Sequence, residues 1–436
     1  MKILCCNQDW FVKEFREAGH EVFTVGLSAK AEVQAEAPLV HIDTIGRKVF
    51  PDGGPDAIVV YDNSAPIAFD GFAETSCPVL FFSVDAHHHY KLHAQISRVM
   101  DYVLVAQKDY IPFLSSEDSA PIEWMPLWAS RMVEPSEDKQ YGALFIGTLN
   151  RELNKARVEF FEQLAKRTEI SFDSGRWWEK FPVSEIVINQ SVRGDVNFRV
   201  FEAMVSGALL LTERTGNGLL EIFEEGKHLA LYQRNDVADA ASQIETLLAH
   251  PDRMHAIARA GREEILRAHL PIHRAKRILE ILTSLKKRKS RRTPFLSWMS
   301  NVLSLMVRLR QMEPVLAKRA LVHTLRSAEI AIERKERIDS ESATELALAC
   351  CELSRSDLGV SPLGILERVL VTQPELHIIR LVLVRSYLNN GMPEKARLVA
   401  EPLAESLGEE EVYRSAEELV GKLLATIDHY DPRLTK

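Results

Sequence analysis

The stretch EIVINQSVRGDVNFRVFEAMVSGALLLTERTGNGLLEIFEEGKHLALY, from Glu185 to Tyr232, decides the fold. It opens on a short apolar run, Glu185 to Asn189, of the kind that makes a buried parallel strand. A polar loop with Arg193, Gly194 and Asp195 follows. Phe198, Phe201, Met204 and Val205 then recur at helical spacing, and Gly207 closes the helix. Ala208 to Thr212 reads as a second buried strand. Asn217 and Gly218 start a short helix, and His228 to Tyr232 reads as a third strand. Strand, loop, helix, strand, helix, strand is half of a doubly wound α/β domain.

The loop before the helix carries the chemistry. A helix N-terminus offers unpaired N–H groups and a partial positive charge, which together hold phosphate. Arg193 and Arg199 flank that point and can add forked contacts to a diphosphate. Glu202 lies one turn inside, where a carboxylate can accept both hydroxyls of a ribose. The stretch resembles the donor-binding segment of GT-B glycosyltransferases, and within them the group 1, CgeB-like (spore maturation protein) branch. The pattern N-x-R-x-F-E-A-x-x-x-G-x-L-L-L-T is met by Asn197, Arg199, Phe201, Glu202, Ala203, Gly207, Leu209, Leu210, Leu211 and Thr212. The following run also fits, with Gly218, Leu219, Glu221, Phe223, Gly226 and Lys227. One departure matters. Many retaining members of the wider superfamily carry a second glutamate where this chain has Gly194, with Asp195 beside it. The CgeB-like branch often lacks it too, and the role of Asp195 stays open.

The totals set bounds. At 436 residues the chain can form two or three domains. With 46% hydrophobic and 27% charged residues it reads as an ordinary soluble protein. A net charge of −8 argues against nucleic acid as the main partner. No stretch approaches the roughly 18–20 apolar residues of a membrane span. The start runs straight into a strand without a signal peptide's apolar core. The five cysteines include the adjacent pairs Cys5-Cys6 and Cys350-Cys351 and read as reduced thiols in a cytoplasm. No Cys-x-x-Cys spacing suggests zinc.

Before the deciding stretch, Lys2–Cys6 is a strand, and its following turn, Asn7-Gln8-Asp9, lacks the glycines that many related enzymes place there. Trp10–Ala18 reads as a helix with Trp10, Phe11 and Phe15 inward, and Glu21–Val25 as a strand. Residues 29–54 read as polar and irregular. Ala57–Tyr61 and Val79–Ser83 are buried strands, and Asp85-Ala86-His87-His88-His89 follows the second. Loops after the strands of such a sheet face the ligand crevice. Three readings arise: contact with donor sugar or acceptor, with one group acting on a proton; metal binding; or a helix start capped by Asp85. Consecutive histidines fan out and seldom chelate one ion. The CgeB-like pattern has an aspartate and a histidine matching Asp85 and His87, which implies the cleft contact for these two. The Ala106-Gln107-Lys108-Asp109-Tyr110 stretch, after a strand over 101–106, also matches that pattern.

Residues 134–139 read as a linker. Tyr141 to Gly147 begins the second half, and Gly147 allows close backbone approach to a ligand. Arg151 reads either as a neutraliser of the donor's diphosphate, as the resemblance implies, or as a solvated cation at a helix start. Trp177-Trp178, in a loop, is given no role. Helices follow over 236–285, one of which should brace the first domain, as in GT-B proteins. Residues 286–292 form a basic run that reads as a solvated linker. Attraction to an anionic membrane, helped by the amphipathic 295–309 segment, is a minor alternative. From Pro294 onward the chain reads as helices, and Pro374–Pro402 resembles one tetratricopeptide-like helix pair. A stacked array would offer a concave surface to a partner, and a plain helical appendage would only stabilise.

The expected architecture is α/β: two facing Rossmann-like domains, 1–134 and 140–285, plus an all-helical domain, 294–436. The resemblance implies transfer of a sugar from a nucleotide-sugar donor to a protein or cell-surface glycan, with retention and without a catalytic metal or other cofactor. It implies Gly147, Arg151, Arg193, Asn197 and Arg199 around the diphosphate, Glu202 on the ribose, and Asp85 with His87 at the reacting sugar. The alternatives are a non-catalytic nucleotide-sugar scaffold, and an epimerase or dehydrogenase. The missing Gly-x-Gly-x-x-Gly disfavours the latter.

Overall fold

Two parallel sheets carry the first two thirds of the chain. The computed structural model describes residues 1–117, 119–287, 295–355 and 361–429. The first sheet has seven strands, in the spatial order Val33–Gln34, Glu21–Gly26, Lys2–Cys6, Ala57–Tyr61, Val79–Ser83, Tyr102–Val105 and Ile122–Trp124. The second has five, in the order Ser171–Asp173, Tyr141–Ile146, Ser184–Asn189, Leu209–Glu213 and Ala230–Tyr232. The strand order reverses beside Lys2–Cys6 in one sheet and beside Tyr141–Ile146 in the other. At such reversals the carboxyl ends of the strands open a crevice.

The apolar runs explain the burial. Every residue of Ala57–Tyr61 and Val79–Ser83 is buried, as strands covered on both faces must be. Side chains alternate between two cores. Leu4, Cys6, Ile58, Val60 and Phe81 face the core shared with the C-terminal helices. Ile3, Cys5, Val59, Tyr61 and Phe82 face a second core, which Leu144, Val187 and Leu210 of the other sheet also enter. The far face of the second sheet is covered by the Arg151–Leu164, Val237–Ala249 and Pro251–Ala268 helices. The brace is the Pro271–Ser284 helix. Its Arg274 donates from Nε to Pro126 O (2.7 Å) and from Nη2 to Leu127 O (2.8 Å), and Arg277 forks onto Glu123.

The C-terminal helices dock on the first lobe. Asn301, fully buried, accepts from the Ile67 N–H at 2.7 Å and donates to the Ile67 carbonyl at 3.0 Å. Arg98–Asp339 (2.8 Å) and His323–Asp70 (2.8 Å) bridge the same junction. The Ser340–Arg355 helix packs on both His377–Asn389 and Glu409–Asp428, which closes the group into a bundle. Met299, Val302, Leu303 and Met306 are buried in the core shared with the first sheet. The apolar side expected to be available to a membrane surface is therefore already used. Of the basic run, residues 288–292 lie outside the described residues, and Lys287 sits 3.9 Å from Asp56. Among the described residues no helix is long and apolar enough to cross a membrane.

Some local expectations change. The first helix is shorter, Val12–Glu17, because Phe11 adopts a left-handed φ of 64° and cannot continue it. Residues 29–54 are not irregular throughout: Ile42–Val49 is a helix, and Val40–His41 pairs with Phe69–Asp70. Trp177 and Trp178 begin a short helix, Trp177–Lys180, and do not lie in a loop.

One buried carboxyl weakens the helical bundle. Glu345 Oε2 is sealed from solvent without a partner, and burial raises the group to about 7, with Glu341 adding to it. A raised carboxyl pKa costs nothing below the unfolded value, and the cost grows as pH rises towards the folded one. Glu345→Gln should therefore stabilise the protein by up to about 3 kcal/mol at pH 8 and by little near pH 4. Thermal melts of both forms across pH check this, and a pH-independent difference would contradict it.

Candidate nucleotide-sugar site

A cavity of about 1020 Å³ opens between the lobes at the carboxyl ends of both sheets. The first lobe contributes Asp85, His87 and His88, and the second lobe supplies the rest of the wall.

Two arginines dominate it. Arg199, in the first turn of the Phe198–Val205 helix, donates from Nε to Ile146 O (2.9 Å) and from Nη1 to Asn189 Oδ1 (2.8 Å). Its guanidinium lies 4.9 Å from the centre of the Phe145 ring. Arg157 donates to Gln190 Oε1 (3.1 Å) and Gln190 O (2.9 Å), and lies 5.9 Å from the same ring. All these acceptors are neutral, and neither guanidinium forms an ion pair among the described residues. Burial, then the charge of Arg157, pushes Arg199 down to about 10. Gly147 makes room for it. A Cβ there would lie 2.7 Å from Arg199 Nη2 and 2.7 Å from the Phe145 ring.

The helix start is open to a ligand. Asn197 caps it with extended backbone, but its side chain makes no capping bond, and its buried Oδ1 has no partner. Asp195, two residues before it, lines the cavity. Burial would raise its carboxyl, but His87 across the crevice and the N–H groups of Val192, Arg193 and Asp195 outweigh that and hold it below the ordinary range. Glu202 accepts from Ser130 Oγ at 2.7 Å, and burial raises its carboxyl.

On the first lobe, Asp62 locks the loop that carries Asp85. Its carboxylate accepts from Asp85 N (2.7 Å), Val84 N (3.1 Å) and Ser64 N (2.8 Å), and Ser64 Oγ donates to the Asp85 carboxylate. His87 Nδ1 is buried without a partner. The His87 and His88 rings are 4.1 Å apart, and burial followed by His87 pushes His88 down to about 4. Asp85 is also the N-cap residue of the Ala86–Ser97 helix, though its side chain makes no capping bond. No group of three or more metal-ligating side chains assembles among the described residues.

Of the expected residues, Asp85, His87, Gly147, Asn197, Arg199 and Glu202 line this one cavity. Arg193 is exposed beside it and donates to His87 O at 3.2 Å, so it bridges the lobes. Arg151 does not line the cavity: it pairs with Glu162 of its own helix at 2.6 Å, the solvated alternative. The cation the sequence reading missed is Arg157. The signal was its place on the buried face, in register with Phe160, Phe161 and Leu164. Trp177, given no role, also lines the cavity with Phe172, Asp173 and Phe181.

This architecture, two facing doubly wound lobes with the site in the crevice between them, is the GT-B fold. Residues 145–280 match the family described as glycosyl transferase-like. The chain is similar in structure to HepE (Alr3699) of Anabaena in complex with UDP and glucose, at 13% identity and a TM-score of 0.52, covering 65% of this chain and 100% of HepE. The HepE complex with UDP-glucose gives 13% identity, a TM-score of 0.50 and the same coverage, 65% and 100%. A glycosyltransferase from Rickettsia africae ESF-5 is similar at 12% identity and a TM-score of 0.48, covering 65% of this chain and 97% of its own. No curated protein matches the chain in sequence.

Proposed function

We propose that the protein is a glycosyltransferase that moves a sugar from a nucleoside-diphosphate donor to an acceptor. The observation that carries this reading is the pair Arg157 and Arg199, one guanidinium buried and the other half-buried, facing one cavity without a carboxylate partner. Two like charges held in low dielectric are costly until an anion joins them. The nearby helix start suits a diphosphate, towards which Asn197, whose side chain makes no capping bond, can turn its amide Nδ2 as donor. Glu202 takes the ribose, and the Phe172–Trp177 wall takes the base. These side chains and the helix start supply the stabilisation of the leaving diphosphate, so the reaction is read as metal-independent. Retention, a hexosyl donor and the CgeB-like branch are what the family resemblance of the stretch between Asn197 and Thr212 implies, and the reading of the five cysteines as reduced thiols supports a cytoplasmic setting. The helical bundle, with its tetratricopeptide-like pair, is read as the part that selects a protein or glycan acceptor. HepE was crystallised with UDP-glucose, which makes UDP-glucose the first donor to try.

The test is calorimetric titration with UDP, GDP and their sugars. Glu202→Ala should weaken binding about 100-fold, the loss of two charge-assisted hydrogen bonds. The sign with pH follows from the raised carboxyl. Affinity should fall on acidification through a value above that of an ordinary glutamate, and Glu202→Ala should lose this acid limb. Unchanged affinity in the variant would remove Glu202 from the site.

A further inference from the structure

The Gln107-Lys108-Asp109 stretch has no part in the cavity wall, yet each of its side chains grips the opposite lobe. Gln107, 1% exposed, takes both backbone groups of Val196: its Oε1 accepts from Val196 N at 2.9 Å and its Nε2 donates to Val196 O at 3.2 Å. Asp109 and Asn217 exchange two bonds. The Asp109 N–H donates to Asn217 Oδ1 (3.1 Å), and the Asn217 N–H donates to Asp109 Oδ2 (2.8 Å). Asn217 in turn donates from Nδ2 to Gly194 O at 2.8 Å, where Thr215 Oγ1 also donates at 2.6 Å. Lys108 pairs with Glu221. The fit is close. A Cβ on Gly216 would lie 2.3 Å from Asp109 Oδ2, and one on Gly218 would lie 2.3 Å from the Trp124 ring.

Val196 sits between Asp195 and Asn197, and Gly194 precedes them. The segment that presents the helix start to the crevice is thus held directly at Val196 by Gln107 of the other lobe, and at Gly194 through Asn217, which Asp109 of the other lobe binds in turn. A buried backbone N–H and C=O left without partners cost roughly 1–3 kcal/mol each. With the lobes apart, the loop must find other partners or stay unformed.

We propose that Gln107 and Asp109 form a latch through which the first lobe positions the diphosphate loop of the second, Gln107 acting through Val196 and Asp109 through Asn217 and Gly194. Gln107 is a positioning residue, acting through Val196. The proposal rests on the reading of the cavity as a nucleoside-diphosphate site.

Two variants and two readouts test it, on the full chain with UDP as probe. Gln107→Ala should raise the Kd for UDP about tenfold to 100-fold. Gln107→Glu keeps the shape. When ionised it sets a carboxylate against Val196 O, and when protonated it offers one donor and one acceptor, as glutamine does. Its Kd relative to wild type at the same pH should be raised at about pH 8 and should recover towards wild type at about pH 5. A residue with a merely structural role would show no such recovery. Small-angle scattering without ligand should show a larger radius of gyration for Gln107→Ala than for wild type. If both variants bind UDP within twofold of wild type and scatter like it, the latch is wrong. If the variants open but wild type binds no nucleotide, the latch stands and the proposed function falls.

Discussion

Arg199→Met should raise the Kd for UDP by about 10³-fold, equivalent to roughly 4 kcal/mol. This is the largest binding effect expected of any single side chain here. Arg199 is held by Ile146 O and Asn189 and rests against Phe145, so its remaining N–H groups are fixed in direction before any ligand arrives. A diphosphate meeting a preset, half-buried fork loses little entropy and faces less competing water than at an exposed arginine. Methionine keeps the stem's packing and removes only the cation. Arg199→Lys should fall between, at about 10²-fold, because one ammonium cannot serve Ile146 O, Asn189 and a ligand together. Arg157→Met should cost less than Arg199→Met, since Arg157 stands further from the helix start and the repulsion between the two cations is relieved. Calorimetry reads the affinities, and circular dichroism checks that the variants fold. A Kd within threefold of wild type for Arg199→Met would take the diphosphate elsewhere.

The sequence made the two sheets legible because their strands are covered on both faces. Ala57–Tyr61 and Val79–Ser83 are unbroken apolar runs, and their ends in the fold are those of the runs. The helix start at Asn197 and its stop at Gly207, where φ is 76°, were legible because both ends need particular backbone chemistry. Short elements were not: Val40–His41 owes its strand form to Phe69–Asp70, a partner far along the chain. Arg157 and Arg151 show the same limit at the site. Both lie in the Arg151–Leu164 helix, and which of them meets the crevice depends on the break at Asn154, with φ −154° and ψ 77°. The break puts Arg157 against Gln190 and leaves Arg151 with Glu162. Nothing in the spacing of charges announces that break. The C-terminal helices reveal a further gap. Their periodicity showed amphipathic helices, but not that Met299 and its neighbours would complete the core of the first sheet.

The residues that line the cavity are divided between the lobes, and this division sets the second large effect. The cations and the helix start belong to the second lobe, while Asp85 and His87 belong to the first and line the crevice opposite them. His87→Ala should therefore lower kcat for sugar transfer by about 10²–10³-fold, within the roughly 10²–10⁴-fold typical of a positioned acid or base. The Kd for UDP should stay within about threefold, less than 1 kcal/mol. Asp85→Asn should act in the same direction. It keeps the backbone bond to Asp62 but loses the charge that accepts from Ser64. Asp195 couples the halves. It is buried on the second lobe, which would raise its carboxyl, but His87 is among the groups that hold it below the ordinary range. Asp195→Asn should then disturb the pH profile of kcat without adding to the loss in the His87→Ala background, because its partner is already gone. Initial rates of donor hydrolysis and of transfer, set beside calorimetric Kd values, separate the two lobes' roles. Loss of UDP affinity in parallel with kcat would place His87 in donor binding, and full activity in His87→Ala would remove it from the chemistry.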